Sequence, residues 1–230
     1  MYLKKLQLEN FKCYQKTNIT FKQLTVIVGE NNAGKSCVIE SLRIVAKAAQ
    51  SSGKSVYGSA PKEFDLPANI RGFFINTKKL CIDLRMIIYY YDSSKYAKVT
   101  AHFDNKARIE IYLDQNCAFV VLYDGEGKIV KSRRQAEEVR IDAIGILPQI
   151  GPIRENERLL SLNTIIGDKD TYLSSLHFRN EIWMWKNAFF EEFKGISEST
   201  WDGLHIDPIE YVPAESDFIN LLVKDNGFTA

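Results

Sequence analysis

The chain has 230 residues, 45% of them hydrophobic and 26% charged, enough for one sizeable core or one and a half domains. Thirty basic against 29 acidic residues leave a formal net charge of +1, so no global field draws the chain to nucleic acid, and such binding would need a local patch. Cys13, Cys37, Cys81 and Cys117 stand far apart without a CxxC pair, which speaks against a zinc site or a secreted disulfide scaffold and for a reduced, cytoplasmic setting.

The N-terminus, MYLKKLQLENF, alternates polar and apolar residues and lacks the apolar core of a signal peptide. No run approaches the roughly 18 apolar residues of a membrane span, so no membrane partner is expected. Residues 2–9 place Leu6 and Leu8 on one face and Lys5, Gln7 and Glu9 on the other, a half-buried strand, with Asn18 to Lys22 as its hairpin partner. Leu24 to Val28 is a short β-branched run without alternation, expected as a strand covered on both faces. From Lys35 the period becomes helical, through Val38, Ile39, Leu42, Val45 and Ala46.

Residues 51–72 are rich in Ser, Gly and Pro and read as an extended surface loop. Apolar or alternating runs at Leu80 to Tyr91, Tyr96 to Phe103, Arg108 to Leu113, Phe119 to Tyr123 and Ile129 to Lys131, separated by turn residues, predict an antiparallel meander. Arg140 to Leu147 reads as one more strand, closed by Pro148. Leu173, Leu176, Ile182, Trp183, Trp185, Phe189, Phe190 and Phe193 predict a long helix ended by Gly195. Its eight large apolar residues exceed one stripe and call for a second element or another chain. Ile209 to Ala230 reads as two strands flanking the turn KDNG, the second cut short by the end of the chain.

Between the expected buried strand and the helix lies VGENNAGKSCV, in which Gly29, Gly34, Lys35 and Ser36 match G-x-x-x-x-G-K-[ST]. A polyphosphate is bound by main-chain N–H groups that a tight, glycine-permitted loop points toward one centre, and a helix N-terminus adds its dipole. In that reading Lys35 reaches the β and γ phosphates and Ser36 ligates Mg²⁺. The N–H groups from Asn32 through Ala33, Gly34, Lys35 and Ser36 to Cys37 form the cradle. Gly53, Lys54 and Ser55 repeat the tripeptide without an earlier glycine or a strand, and read as loop.

Residues 3–45, LKKLQLENFKCYQKTNITFKQLTVIVGENNAGKSCVIESLRIV, resemble the opening of the ABC-class P-loop ATPases of the SMC, RecF and OLD-like branch, which carry a strand ending in Asn-Phe-Arg/Lys and a G-x-N-x-x-G-K-S loop. The resemblance implies an ATP-binding head whose two lobes flank the nucleotide and which works as a dimer. By position, Lys12 takes the place of the family's phosphate-approaching basic residue and Asn31 that of its loop asparagine, which also reads as an ordinary turn residue. GILPQIGPI, residues 145–153, resembles the segment holding the family's Q-loop glutamine, making Gln149 the candidate for Mg²⁺ and the attacking water; a polar residue in a proline-bracketed linker is the alternative.

Neither an Asp-Glu pair closing an apolar strand nor an LSGG-like segment is found. Asp92 and Asp124 follow apolar runs but continue into turns. His102, His177 and His205 lack metal spacing, and Lys131, Arg133 and Arg134 form a short basic cluster that reads first as a solvated turn. The expected fold is therefore an α/β P-loop lobe with an antiparallel β subdomain over 1–150, a helical segment over 151–205 and the truncated start of a second lobe over 206–230. The resemblance implies ATP and Mg²⁺ as ligands, a homodimer or larger assembly, and DNA or an effector protein as further partners.

Overall fold

The computed structural model describes residues 2–77, 82–139, 141, 144–145, 157–168, 174–212, 217–225 and 228–229. These fall into two units, Met1–Ile146 and Leu147–Ala230, each with its own apolar core.

The first unit is built on seven strands, all antiparallel to their neighbours. Alternation at the N-terminus produces β1 (Leu3–Phe11), paired with β2 (Tyr14–Thr20) through the two-residue turn Lys12–Cys13. The meander follows as β5 (Ala97–Phe103), β6 (Arg108–Leu113) and β7 (Ala118–Tyr123). Two short strands, β3 (Gly58–Ser59) and β4 (Arg71–Phe74), complete the order β2-β1-β5-β6-β7-β4-β3.

β6 and β7 are each buried at five of their six positions because both faces of the sheet are covered there. One face carries Ile109, Ile111, Val120 and Leu122 against α1 (Lys35–Ser52), whose buried residues Val38, Ser41, Ile44, Val45, Ala48, Ala49 and Ser52 recur at helical spacing. Ile39, expected on that stripe, is instead 47% exposed. The buried hydroxyls of Ser41 and Ser52 donate to the carbonyls of Val38 and Ala49, so the packed face leaves neither unpaired.

The opposite face carries Tyr112, Phe119 and Val121, covered by Phe64 and Ile70. The 51–72 stretch is thus not a bare surface loop. α1 runs through Ser52, β3 and a 3₁₀ turn at Lys62–Phe64 follow, and the fully buried Phe64 ring meets those of Tyr96, Tyr112 and Phe119 at centroid distances of 5.5, 5.8 and 6.5 Å. The apolar second face of β6 and β7 outweighs the low local propensity of the stretch. Gly72 allows β4 to pair there, since an added Cβ would lie 2.0 Å from the Val120 carbonyl oxygen.

Three further expectations change in this unit. Residues 24–28 form no strand, and Leu24, Val26 and Val28 are 82%, 74% and 83% exposed. A central strand needs hydrogen-bonded neighbours, and among the described residues none runs beside this one. Leu84–Met86 and Tyr89–Tyr91 are 3₁₀ turns, the first started by Asp83, whose carboxylate accepts from the Arg85 N–H and guanidinium. Arg133 and Arg134 open a short helix, α2 (Arg133–Val139), with Arg133 donating to the Ser55 carbonyl and Arg134 paired to Glu138 one turn on. The strand expected at 140–147 lies almost wholly outside the described residues.

In the second unit α3 (Leu162–Asp168) precedes α4 (Phe178–Thr200). Five short strands follow: β8 (Leu204–Ile206), β9 (Glu210–Val212), β10 (Phe218–Asn220), β11 (Val223–Asp225) and β12 (Phe228–Thr229). β11 pairs antiparallel with β12, while β9 and β10 form a separate pair. Phe190, Ile206, Ile209, Ile219 and Leu221 make the core, with Trp183 packed on its edge. The buried Glu157 carboxylate caps α4, accepting from the Arg179 and Asn180 N–H groups at 2.9 and 2.8 Å and from the Asn180 amide at 2.6 Å. Gly195 does not end the helix. Its cost of about 1 kcal/mol relative to alanine is outweighed by a last turn in which Ser199 and Thr200 hydroxyls donate to the Ile196 carbonyl and Trp201 N–H to that of Ser197.

Phe64→Ala is expected to destabilise the first unit by about 3 to 5 kcal/mol, the cost of a large buried aromatic cavity. Urea unfolding checks it. A loss below about 1 kcal/mol would mean that the 51–72 segment does not cover the sheet.

Candidate functional site

The Gly29–Cys37 loop sits between the exposed 24–28 run and the first turn of α1. Gly34 is the N-cap of that helix with φ 92° and ψ 6°, a left-handed backbone that L-residues with a Cβ rarely adopt. Its carbonyl accepts the N–H groups of Cys37 at 2.9 Å and Val38 at 3.2 Å. Asn32, two residues earlier, is also left-handed at φ 68°. Two left-handed residues in three curl the loop tightly, leaving Gly29, Glu30, Asn31, Asn32, Ala33 and Ser36 exposed.

Lys35 is the centre of the loop. Its ammonium donates to the carbonyls of Gly29 and Glu30, both at 2.6 Å, so the side chain folds back across its own loop. The Ala33 N–H likewise turns onto the Glu30 carbonyl at 3.2 Å. Among the six expected cradle amides, those of Ala33 and Cys37 are therefore engaged within the loop, while helix geometry leaves the N–H groups of Lys35 and Ser36 without intrahelical partners.

The β1–β2 turn packs against this loop. A Cβ on Gly34 would lie 2.6 Å from the Tyr14 hydroxyl oxygen and 2.7 Å from the Cys13 sulfur. The Tyr14 hydroxyl donates to the Ala33 carbonyl at 3.4 Å, and the sulfurs of Cys13 and Cys37 are 3.6 Å apart. Burial, then the neighbouring Cys37 thiol, pushes the pKa of the Cys13 thiol up, and burial does the same for the Tyr14 phenol. Both stay protonated at neutral pH, so the turn presents no negative charge to a bound anion.

Asn10 and Lys12 both have φ 50°, and the Lys12 N–H donates to the Ile87 carbonyl at 2.7 Å. The Lys12 ammonium is ion-paired with Glu40 on α1, so it must leave that carboxylate to meet a phosphate. Gln149 lies outside the described residues. Asp92 accepts from the Ser94 hydroxyl and N–H, and Asp124 from the Glu126 and Lys128 N–H groups, which makes both carboxylates turn-formers. Ser94, then Lys95, holds the Asp92 carboxyl down to about 2. The histidines bond locally, His102 to Gln7, His177 to Asp168, and His205 to Glu198 and Asp207. No cluster of three metal-ligating side chains occurs among the described residues.

Sequence reasoning missed Tyr14, Cys13 and Glu40. Tyr14 and Cys13 touch the loop across about 20 positions of chain, and only the register of the β1–β2 hairpin brings them there.

The residues present fit a polyphosphate. A left-handed glycine with no room for a side chain opens an 18-residue helix whose first amides lack intrahelical partners, and an ammonium spans the mouth. For Mg²⁺ the described residues offer the exposed Ser36 hydroxyl, which suits an ion that takes few protein oxygens and several from phosphate and water.

Gly34→Ala is expected to cost about 1 to 3 kcal/mol through backbone strain and overpacking. Gly53→Ala provides the contrast. At φ −77°, with the nearest contact 3.5 Å away, it should be neutral or stabilising by up to about 1 kcal/mol. Thermal melts of both variants check the pair, and equal effects would contradict the Gly34 geometry.

The AAA ATPase domain family matches residues 1–189 of the chain. A 49-residue stretch is 41% identical to the DNA replication and repair protein RecF of Ligilactobacillus salivarius (strain UCC118), covering 21% of this chain and only 13% of that relative's length. A chain solved in work on ATP-driven dimerisation and DNA-stimulated activation of SMC ATPases aligns at 20% identity and a TM-score of 0.33, over 60% of this chain and 77% of that one. With four fifths of its length matched, the chain belongs to the AAA ATPase domain family.

Proposed function

We propose that Gly29 to Cys37 bind the phosphates of Mg·ATP. The observation that carries this reading is Gly34, held left-handed against the β1–β2 turn at the start of α1, with the Lys35 ammonium on the two carbonyls at the loop mouth. Lys35 exchanges those carbonyls for phosphate oxygens, the stronger acceptors because they are charged. Ser36 and the loop amides hold the phosphates and metal ion from the helix side, and Gln149 is the second proposed metal ligand. When bound, Mg²⁺ offsets phosphate charge. Lys12, once released from Glu40, supplies a further cation.

We place this loop in an ATPase whose hydrolysis is coupled to dimerisation and to DNA-directed work, such as repair or defence against phage, in a cytoplasmic setting. RecF, a relative over a short stretch, is named for DNA replication and repair, which supports the DNA-directed part by likeness alone. No helix among the described residues is long and apolar enough to cross a membrane.

One observation favours a second reading. Trp185 and Phe189 of α4 are 49% and 54% exposed, one turn apart, as on a helix that docks a partner. In that reading the chain is a regulatory module that binds ATP without hydrolysing it.

Calorimetric titration of Mg·ATP tests the site. Lys35→Ala should lose about tenfold to a hundredfold in affinity, the worth of a hydrogen bond to a charged group, while far-UV circular dichroism stays unchanged. Equal affinity in both chains, or an unfolded variant, would contradict the assignment. Measurement of phosphate release separates the ATPase from the docking module.

A further inference from the structure

We propose that Cys13 and Cys37 form an oxidisable thiol pair, closed to a disulfide by peroxide, that clamps the β1–β2 turn to the first turn of α1 and weakens nucleotide binding. The nucleotide clause rests on the function proposed for this loop; the thiol chemistry does not.

The two sulfurs are 3.6 Å apart, already in hydrogen-bond contact, and need to approach to about 2.05 Å to bond. Cys13 stands at the exposed tip of the hairpin and Cys37 is only partly exposed. Peroxide therefore reaches Cys13 first. The Cys13 sulfur attacks one peroxide oxygen, the O–O bond breaks, and a sulfenic acid forms while the peroxide is reduced to water or an alcohol. Cys37 then attacks the sulfenyl sulfur. The S–S bond forms, the S–O bond breaks, and the departing hydroxide takes the Cys37 proton as water. Two thiols lose two electrons in total, and a small dithiol returns them. The buried side of Cys13 keeps it mostly protonated, so the reaction is one of sustained peroxide exposure rather than of trace oxidant. Cys117 does not compete, because burial pushes its thiol up to about 12.

The consequence lies in where the bond falls. Cys37 follows Ser36 directly, and Cys13 already contacts the Gly34 position. A covalent tie there holds residues 34–37 in the arrangement where the Gly34 carbonyl takes the Cys37 and Val38 amides and Lys35 closes on Gly29 and Glu30. A nucleotide then has to open a loop that can no longer move away from the hairpin.

The test treats the chain with hydrogen peroxide, maps its peptides without reduction and titrates Mg·ATP before and after dithiothreitol. A Cys13–Cys37 linked peptide is expected. Affinity should fall about tenfold on oxidation and return on reduction, within the usual range of coupling between two sites. In Cys13→Ser the ratio of affinities with and without peroxide should be one, whatever the variant's own affinity. Absence of the linked peptide, or its replacement by links to Cys81, would overturn the pair. A linked chain that binds Mg·ATP as well as the reduced one would overturn the switch. If the reduced chain binds no Mg·ATP, the nucleotide reading fails, while the linked peptide still decides the thiol chemistry.

Discussion

The contact between Gly34 and the β1–β2 turn is the constraint on which the site depends. The space beside Gly34 is filled by the Tyr14 hydroxyl and the Cys13 sulfur, so only a residue without a Cβ can hold the left-handed conformation that starts α1 there. The turn is in turn fixed by the pairing of β1 with both β2 and β5. A loop at the head of one helix is thus positioned by strands that precede it in sequence. The same packing brings two thiols and one phenol against a loop whose partner is read as an anion.

The rest of the first unit serves that placement. Among the described strands, β6 and β7 contribute to apolar clusters on both faces, where α1 covers one side and the Phe64 segment the other. Toward β1 and β2 the second face becomes polar, with Asn18, Gln7 and His102 bonded in a row across three strands. The hydrophobic term is therefore concentrated beneath α1, and the helix N-terminus projects from a rigid support. The second unit solves a separate problem by similar means, using the buried Glu157 in place of a side-chain cap from His177 to satisfy the first amides of α4.

The regular elements were legible in the sequence where a period ran long enough. β1, α1 and the β5–β7 meander follow directly from alternation or helical spacing. The errors fall where long-range packing overrides local preference. The 51–72 stretch reads as loop by composition, yet Phe64 is drawn onto an apolar sheet face that only the folded meander creates. Leu80 to Tyr91 reads as a strand, but Asp83 captures the Arg85 amide and starts a turn. Leu24 to Val28 has the composition of a central strand and lies exposed, since β-branched residues state a preference and cannot supply the neighbours that strands need. At the site, the glycine, lysine and serine were legible from spacing. The closure of Lys35 on its own loop and the approach of Cys13 were not, because both depend on three-dimensional register.

The central claim is that residues 29–37 form a phosphate cradle, closed on itself by Lys35. Amide hydrogen exchange with and without Mg·ATP tests it most directly. Added protection is expected at residues 29–37 and the first turn of α1, with little change in α4. Protection that appears elsewhere while this loop exchanges as before would contradict it.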